Sequence, residues 1–307
     1  MTVILGINAS KLIAIVAVIT FIIGAVAVFY SINLFFRSSS PIEKPAVLRV
    51  SEWSGYILTS DMQSPSPVIS YVSASWMVPE VKPSENMTFS GVWIGIGGYG
   101  EESLIQAGTE QEYLNNKPVY YAWYELLPDY LVRIPTLHVQ PGDTIAASIN
   151  LVNENTNTWL ITIEDVTRSE QFKKTIVYTS SMLSAEWVVE RPTVNGTVST
   201  LADFGNVTFT ECKATVDDVT GPIGNFSYAQ LAMYDEETPL VFVSPLNVDE
   251  SGFTVSYLKI SSPTASADDL TQNVLANCGF LFLVGTKTTF SKNAPRIADG
   301  NWDTSNL

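Results

Sequence analysis

Histidine is almost absent from this chain, since His138 is the only one among 307 residues. A Ser-His-Asp triad or a Cys-His pair uses a histidine as its base, so either would have to be built on His138. That residue lies in the segment LHVQPGD, which reads as a strand leading into a turn, and no serine stands in a G-x-S-x-G pattern. We therefore expect His138 to be an ordinary strand or surface residue.

Cysteine is nearly as scarce. Cys212 and Cys278 are the only two, and neither has neighbours that would favour a reactive thiolate. With one histidine in the chain, the usual His/Cys spacing of a zinc site cannot be assembled either. We expect no metal and no cofactor. Whether the two cysteines form a disulfide is left open by the sequence.

Positive charge is also in short supply, with 16 Lys and Arg against 31 Asp and Glu and a formal net charge of -15. A nucleic-acid-binding protein normally presents a basic face, so we expect no nucleic-acid partner. The composition suits an extracellular and acidic setting, because a protein with few ion pairs has fewer to lose when its carboxylates are protonated. The same charge balance is equally explained by an ordinary acidic surface on a secreted protein.

The N-terminus carries the one long apolar run, from Leu12 to Phe36, without a charged residue. About 20 residues are enough to cross a bilayer. Ala25 to Ala27 resembles a signal-peptidase site, which makes a cleaved signal peptide the alternative. Because the apolar run continues to Phe36, we favour an uncleaved signal-anchor over residues 1–37. Either way, the remainder is expected outside the cytoplasm, anchored to the membrane or secreted.

Four N-x-[ST] sequons agree with an extracytoplasmic chain and predict a glycoprotein. They begin at Asn86, Asn195, Asn206 and Asn225. The motif is short, so chance matches are expected in a chain rich in Ser and Thr.

From Ser51 onward the hydrophobic pattern has a period of two, which is typical of β-strands. No later segment shows a helical stripe, and turn signals such as Pro141-Gly142-Asp143 separate the runs. Many short strands without a βαβ rhythm indicate an all-β, antiparallel sandwich or jelly roll. We place a linker at 38–50, the sandwich at 51–259, and a C-terminal extension at 260–307 that could pack on it. The clearest runs are Val68–Val78, Thr144–Leu151, Thr158–Ile163, Ser184–Val189, Val207–Thr210 and Phe253–Leu258.

Seven short motifs in the sandwich segment occur in the order known from one peptidase family. They are WSGY (53–56), SASWMVP (73–79), VWIGI (92–96), LIQAG (104–108), YYAWYE (120–125) with Pro128, SAEWVVE (184–190), and LADFG (201–205) followed by VTF (207–209). Each motif alone is weak evidence, but seven in order are strong evidence. The segment from Ser51 to Lys259 thus resembles the glutamic peptidases, also called eqolisins or the G1 family.

This resemblance implies a sandwich of two curved antiparallel sheets, similar to the concanavalin-like lectins, and an acid-acting endopeptidase with a Gln/Glu dyad. The family's glutamine falls on Gln106 and its glutamate on Glu186. Glu186 would act as general base and then acid on water, and Gln106 would stabilise the tetrahedral intermediate. The resemblance also implies a substrate-binding role for four residues around the same cleft, namely Trp93, Trp123, Tyr124 and Glu125.

Two positions depart from the family pattern. Gly97 stands where the family commonly has an aspartate, and Glu110 stands where an aspartate often follows the glutamine. Both substitutions would change the groups around Glu186. They bear on how Glu186 is tuned more than on its assignment as the family's glutamate.

Three functions are compatible with the sequence. The first is the endopeptidase, with a polypeptide substrate and an undetermined oligomeric state. The second is a sandwich that binds or cleaves glycans, in which Glu186 and Glu125 would form a carboxylate pair about 5 Å apart. The third is a non-catalytic surface-layer or filament component. The placement of Gln106 relative to Glu186 discriminates among them.

Overall fold

The computed structural model describes residues 46–259 and the backbone of Asn301 and Trp302. The expected signal-anchor at 1–37 and nearly all of the C-terminal extension lie outside the described residues, so both assignments stay predictions. Within the described part, no helix has the length and apolar character needed to cross a membrane.

The described chain is built from strands and two short 3-10 helices, at Glu154–Thr156 and Ile223–Asn225. The strands are β1 (Ala46–Val50), β2 (Trp53–Thr59), β3 (Ile69–Met77), β4 (Thr88–Gly97), β5 (Leu104–Leu114), β6 (Lys117–Leu126), β7 (Val132–Arg133), β8 (Thr144–Asn153), β9 (Thr158–Asp165), β10 (Glu170–Val177), β11 (Ser184–Glu190), β12 (Thr193–Val194), β13 (Thr197–Val198), β14 (Asn206–Val216), β15 (Val219–Pro222), β16 (Ser227–Asp235), β17 (Thr238–Pro239), β18 (Val241–Val243), β19 (Phe253–Tyr257) and β20 (Asn301–Trp302).

These strands form two large sheets and one small one. The first, which we call the site sheet, has the order β1-β16-β2-β11-β4-β5-β6-β7, with β17 beside β16. The second, the back sheet, has the order β10-β9-β8-β3-β14-β19-β18, with β15 beside β14. Neighbouring strands are antiparallel throughout both sheets except for β1 and β16. The small sheet has the order β13-β12-β20, and its hairpin turns at Asn195-Gly196, both with positive φ.

Alternation along the strands explains why the two large sheets stack. On β3 the apolar residues Val72, Ala74 and Trp76 are buried, whereas the residues between them are half-buried. These inward side chains meet inward side chains of the site sheet, such as Ile94 and Trp187, in one core. Removal of this apolar area from water is the main force that holds the sandwich together.

The site sheet is buried on both of its faces. All ten residues of β4 are buried, although a strand that faces a core on one side only would alternate. The face turned away from the back sheet carries a second apolar cluster, which includes Trp53, Trp93 and Trp123. Polar side chains on this outer face are therefore removed from water as well.

The all-β sandwich predicted from the hydrophobic pattern is confirmed. The linker predicted over 38–50 differs from the structure at its end, because Ala46–Val50 form β1. This strand pairs in parallel with Ala229–Met233 of β16. Leu48 and Val50 of β1 also pack on the second apolar cluster, so the segment is ordered by burial.

Three further kinds of residue singled out in the sequence are placed as follows. His138 is exposed and its Nδ1 lies 3.1 Å from Glu170 Oε2. Cys212 is a buried thiol, and its candidate partner Cys278 lies outside the described residues. The asparagines of all four sequons are exposed, so each is accessible to glycosylation, which stays a prediction.

Candidate active site

Gln106 and Glu186 lie in one row of the site sheet with a single residue between them. Glu186 on β11 pairs with Gly95 on β4, and Gly95 pairs with Gln106 on β5. Residues paired in this way share a face. Adjacent strands are about 4.8 Å apart, so the two backbones are roughly 10 Å apart. Long side chains can span this gap from both sides because Gly95 places nothing between them.

The carboxylate of Glu186 leans over Gly95. A methyl group in place of a Gly95 hydrogen would lie 3.3 Å from Glu186 Oε2 and 2.9 Å from both Trp93 Cζ3 and Leu104 Cδ1. The space above this glycine is therefore bounded by side chains of three strands, β4, β5 and β11, and is already filled at its edges.

Replacement of Gly95 by alanine should damage the site directly. The added methyl group must push away the Glu186 carboxylate, the Trp93 ring or Leu104, and overpacking of this kind costs about 1–3 kcal/mol of stability. We expect a peptidase activity at least about 10-fold lower in Gly95→Ala, since small misplacements of reacting groups are costly. Thermal unfolding and kcat/KM measured together check this. Gly142→Ala, in the turn before β8 of the back sheet, meets no atom within 4 Å but strains a positive φ, so it controls for activity lost through reduced stability alone. Activity in Gly95→Ala equal to that of wild type would contradict the prediction.

Glu125 holds the amide of Gln106. The two residues are partners on β6 and β5, and Gln106 Nε2 donates to Glu125 Oε2 over 2.6 Å. Burial raises the pKa of Glu125 to about 8, while the bonds from Gln106 and from the Leu131 backbone lower it. At acid pH Glu125 is therefore neutral, and its carbonyl oxygen still accepts the amide N–H. The second N–H of Gln106 and its oxygen remain for other partners.

Glu186 is fully buried, and within residues 46–259 the Ser184 hydroxyl is the one group that favours its charged form. Burial raises its pKa well above the usual value, the Ser184 hydroxyl lowers it, and the charge of Glu101 raises it further. Among the described residues, neither carboxylate oxygen makes a hydrogen bond of standard geometry. Burial of an unsatisfied carboxyl costs free energy, and groups of this kind concentrate at functional sites.

Tyr178 fixes the ends of the two strands that carry Gln106 and Glu125. Its hydroxyl accepts the backbone N–H of Leu104 and donates to the backbone oxygen of Leu127, both over 2.8 Å. Leu104 comes two residues before Gln106, and Leu127 two residues after Glu125. The hydroxyl thus locks the register of β5 against β6 beside the site.

Trp93 and Trp123 lie on the same face as the dyad, in the next row of the sheet. Both pair with Gly108, both are fully buried, and Trp53 packs edge-to-face on Trp93 at 4.8 Å between ring centroids. The structure therefore brings both tryptophans to the site, where they form its apolar wall.

Tyr124 lies on the opposite face, so the structure does not bring it to the dyad. It packs against the core between the sheets and stacks on Phe172 of the back sheet, 5.9 Å between centroids. Neighbouring residues of a strand point to opposite sides, and Trp123 and Glu125 occupy the site side. A substrate-binding role predicted from the motif alone overlooked this alternation.

A second row with the same pattern lies four residues along the strands. Glu190 on β11 pairs with Gly91 on β4, which pairs with Glu110 on β5. Glu190 accepts hydrogen bonds from the indoles of Trp53 (3.3 Å) and Trp93 (2.7 Å). Burial raises the pKa of Glu190 to about 8 and that of Glu110 well above its usual value. The motifs place Glu110 in the surroundings of Glu186 and give Glu190 no role, although an even spacing from Gln106 and Glu186 puts both residues on the same face.

Comparisons with known proteins agree with this architecture. The family model of the peptidase A4 family matches residues 51–257, so the chain belongs to this family of glutamic peptidases. The family resemblance seen in the motifs is confirmed.

Among curated proteins, aspergillopepsin-2 of Aspergillus niger is 27% identical over 172 residues, covering 54% of this chain and 58% of that protein. The match thus spans little more than half of the relative's length. Among solved structures, scytalido-glutamic peptidase with a transition-state analogue inhibitor superposes with a TM-score of 0.58 at 20% identity, over 68% of this chain and 98% of the other. Aspergilloglutamic peptidase of Aspergillus niger gives a TM-score of 0.50 at 26% identity, over 56% and 99%. The first of these structures supports the fold alone.

Proposed function

We propose that this chain is an acid-acting endopeptidase in which Glu186 activates water and Gln106 stabilises the tetrahedral intermediate. The observation that carries the proposal is the row Glu186–Gly95–Gln106, in which a carboxyl and an amide face the gap over one glycine. The family of the chain consists of glutamic peptidases. A polypeptide is the corresponding substrate.

The proposed reaction uses the two groups in sequence. Ionised Glu186 accepts a proton from water as the water attacks the scissile carbonyl, and then gives that proton to the leaving amine. Gln106 donates its second N–H to the developing oxyanion, because Glu125 already holds the first. An amide keeps its donors at every pH, so one group of the pair must titrate and the other need not. Trp93 and Trp123 supply the apolar surroundings that strengthen these interactions.

The charge state of Glu186 sets the acid limb of the activity profile. Glu186 must be ionised to act as the base, and burial raises its pKa. We therefore place the midpoint of the acid limb above the pH at which an ordinary carboxyl group titrates. At higher pH, ionisation of Glu125 and Glu190, with pKa values raised to about 8, opposes the folded state. Both shifts move the active range upward from the ordinary carboxyl value, so the acid optimum in this proposal rests on the family and not on these pKa values.

The alternative glycosidase pair is not favoured by the geometry. Gly95 and Gln106 stand between Glu186 and Glu125 in the row, so their backbones are about 14 Å apart. Glu125 is also engaged by Gln106. For location, we propose an extracytoplasmic protein, anchored through residues 1–37 or released by cleavage, and the exposed sequons support this.

The proposal is tested by degradation of an unfolded protein between about pH 2 and pH 8. Wild type should cleave it, and Gln106→Ala should lose about 100- to 1,000-fold in kcat/KM, as for the loss of one oxyanion donor, with unchanged circular dichroism. Gln171→Ala, which removes a glutamine bonded to Glu164 on the back sheet, is the matched control and should stay active. Equal activity in Gln106→Ala and wild type would refute the role of Gln106.

A further inference from the structure

The turn between β4 and β5 brings another acid to the end of the site. Gly97 and Gly98 have φ values of +95° and +89°, which L-residues with side chains rarely adopt. The acid that the family commonly has at position 97 would be strained there. Glu101, four residues later, projects from the same turn and is half-buried.

Hydrogen bonds fix the Glu101 carboxylate in this turn. Oε1 accepts from the Gly98 backbone N–H (3.3 Å) and the Ser103 hydroxyl (2.9 Å), and Oε2 accepts from the Ser103 N–H (3.2 Å). The Ser103 hydroxyl oxygen also accepts the N–H of Ser181, just before β11. The turn is therefore tied to the chain that leads to Glu186. Each bond to Glu101 is donated to the carboxylate, so these bonds fix where its oxygens lie.

Glu101 occupies the space beside Gly97. A methyl group on Gly97 would clash with the Ser103 backbone oxygen and lie 3.2 Å from Glu101 Oε1, so the two share this space, and one on Gly95 would lie 3.3 Å from Glu186 Oε2. The two glycines are two residues apart on β4, about 7 Å along the strand. The two carboxylates thus stand over neighbouring positions of one strand.

Within residues 46–259, few other groups near Glu186 can carry charge. Its partners in the row are Ile57 on β2 and Gly95 on β4, with Gln106 beyond, and Ser184 precedes it on its own strand. Glu125 lies one strand further and is held by Gln106. Glu101 is the acid whose charge acts on Glu186 from the turn.

We propose that Glu101 is a positioning residue of the active site, whose carboxylate replaces a side chain at position 97 and whose negative charge opposes the ionisation of Glu186. This inference rests on the proposed function. A like charge makes proton loss from Glu186 harder, so removal of the Glu101 charge should let Glu186 ionise at lower pH.

The test is the pH profile of kcat/KM in Glu101→Gln. If the two charges are separated by about 7 Å, the spacing of Gly95 and Gly97 along the strand, the midpoint of the acid limb should move down by roughly 0.4 to 1.7 pH units for an effective dielectric constant between about 80 and 20. Glu101→Asp keeps the charge and should retain most of the wild-type midpoint. Glu102→Gln, at the exposed neighbour in the same turn, is the control and should not move it.

A merely structural Glu101 would give a different result. In Glu101→Gln, kcat/KM would then fall by the same factor at every pH, and the midpoint of the acid limb would not move. Either outcome overturns the proposal. If Glu101→Gln does not fold, wild type is compared at about 0.05 M and 1 M salt, where screening should lower the midpoint, and no movement there also overturns it. Failure of the proposed function is distinguishable, because Gln106→Ala would then be as active as wild type.

Discussion

Glu186→Gln should lose about 100- to 10,000-fold in kcat/KM at every pH, the range typical for removal of a general acid–base group. Glutamine fills the same volume beside Gly95 but cannot accept a proton from the attacking water. The acid limb of the residual profile should disappear as well, because no titrating base remains. Initial rates on a peptide and on an unfolded protein, measured from about pH 2 to pH 8, check both statements.

The same variant should fold at least as well as wild type. In the folded state the pKa of Glu186 is raised by burial, so ionisation opposes folding, and a neutral amide removes that cost above the ordinary carboxyl range. Higher thermal stability near neutral pH, together with lost activity, would separate a catalytic defect from misfolding. Glu154→Gln in the exposed 3-10 helix is the control. Full activity in Glu186→Gln would end its assignment as the base.

Folding stability should fall steeply as pH rises from about 4.5 to about 8. Glu125 and Glu190 have pKa values raised by burial from 4.5 to about 8. A raised folded-state pKa gives a contribution that is complete below the unfolded value and is lost as pH rises towards the folded value. Each residue then costs about 3 kcal/mol at pH 7, against a total stability of about 5–15 kcal/mol for a typical domain. Unfolding by denaturant at a series of pH values measures this slope.

Glu190→Gln isolates one of these contributions. The amide oxygen can still accept the Trp93 indole N–H, while the amide nitrogen replaces the acceptor of the longer Trp53 bond. No carboxyl remains to ionise. We expect the stability of this variant to depend less on pH than that of wild type, and to exceed it near pH 8. Glu237→Gln, at an exposed ion pair with Arg49, should leave the slope unchanged. A wild type equally stable at pH 4 and pH 8 would show that these carboxyls do not control folding.

The strands were predictable because their chemistry is local. The alternation of apolar and polar residues over Val68–Val78 predicts a strand, and the structure has one over Ile69–Met77. The parallel pairing of β1 with β16 was not predictable, since Ala46 and Ala229 are far apart in the chain and five residues carry little pattern. Pairing over such distances depends on which edges remain open after the rest of the sheet has formed.

Gln106 and Glu186 could be singled out only through the ordered motifs, because a buried glutamine or glutamate on a strand is otherwise unremarkable. Their meeting depends on β11 inserting between β2 and β4, which no local pattern encodes. Tyr124 shows the converse limit. Its motif matches the family, but its side chain lies on the face of the sheet opposite to Gln106 and Glu186. The role proposed for Glu101 has no signature in the sequence, because it depends on a turn whose glycines, Gly97 and Gly98, have positive φ.

Glu186 and Glu190 form a natural comparison within a single strand. They share a face, a strand and complete burial, and each looks across a glycine of β4. Two indole N–H groups occupy the carboxyl of Glu190, whereas the oxygens of Glu186 meet no such donor among the described residues. The indole bonds therefore hold the Glu190 carboxyl in place, whereas Glu186 keeps both oxygens clear of indole donors, as the proton-accepting role proposed for it requires.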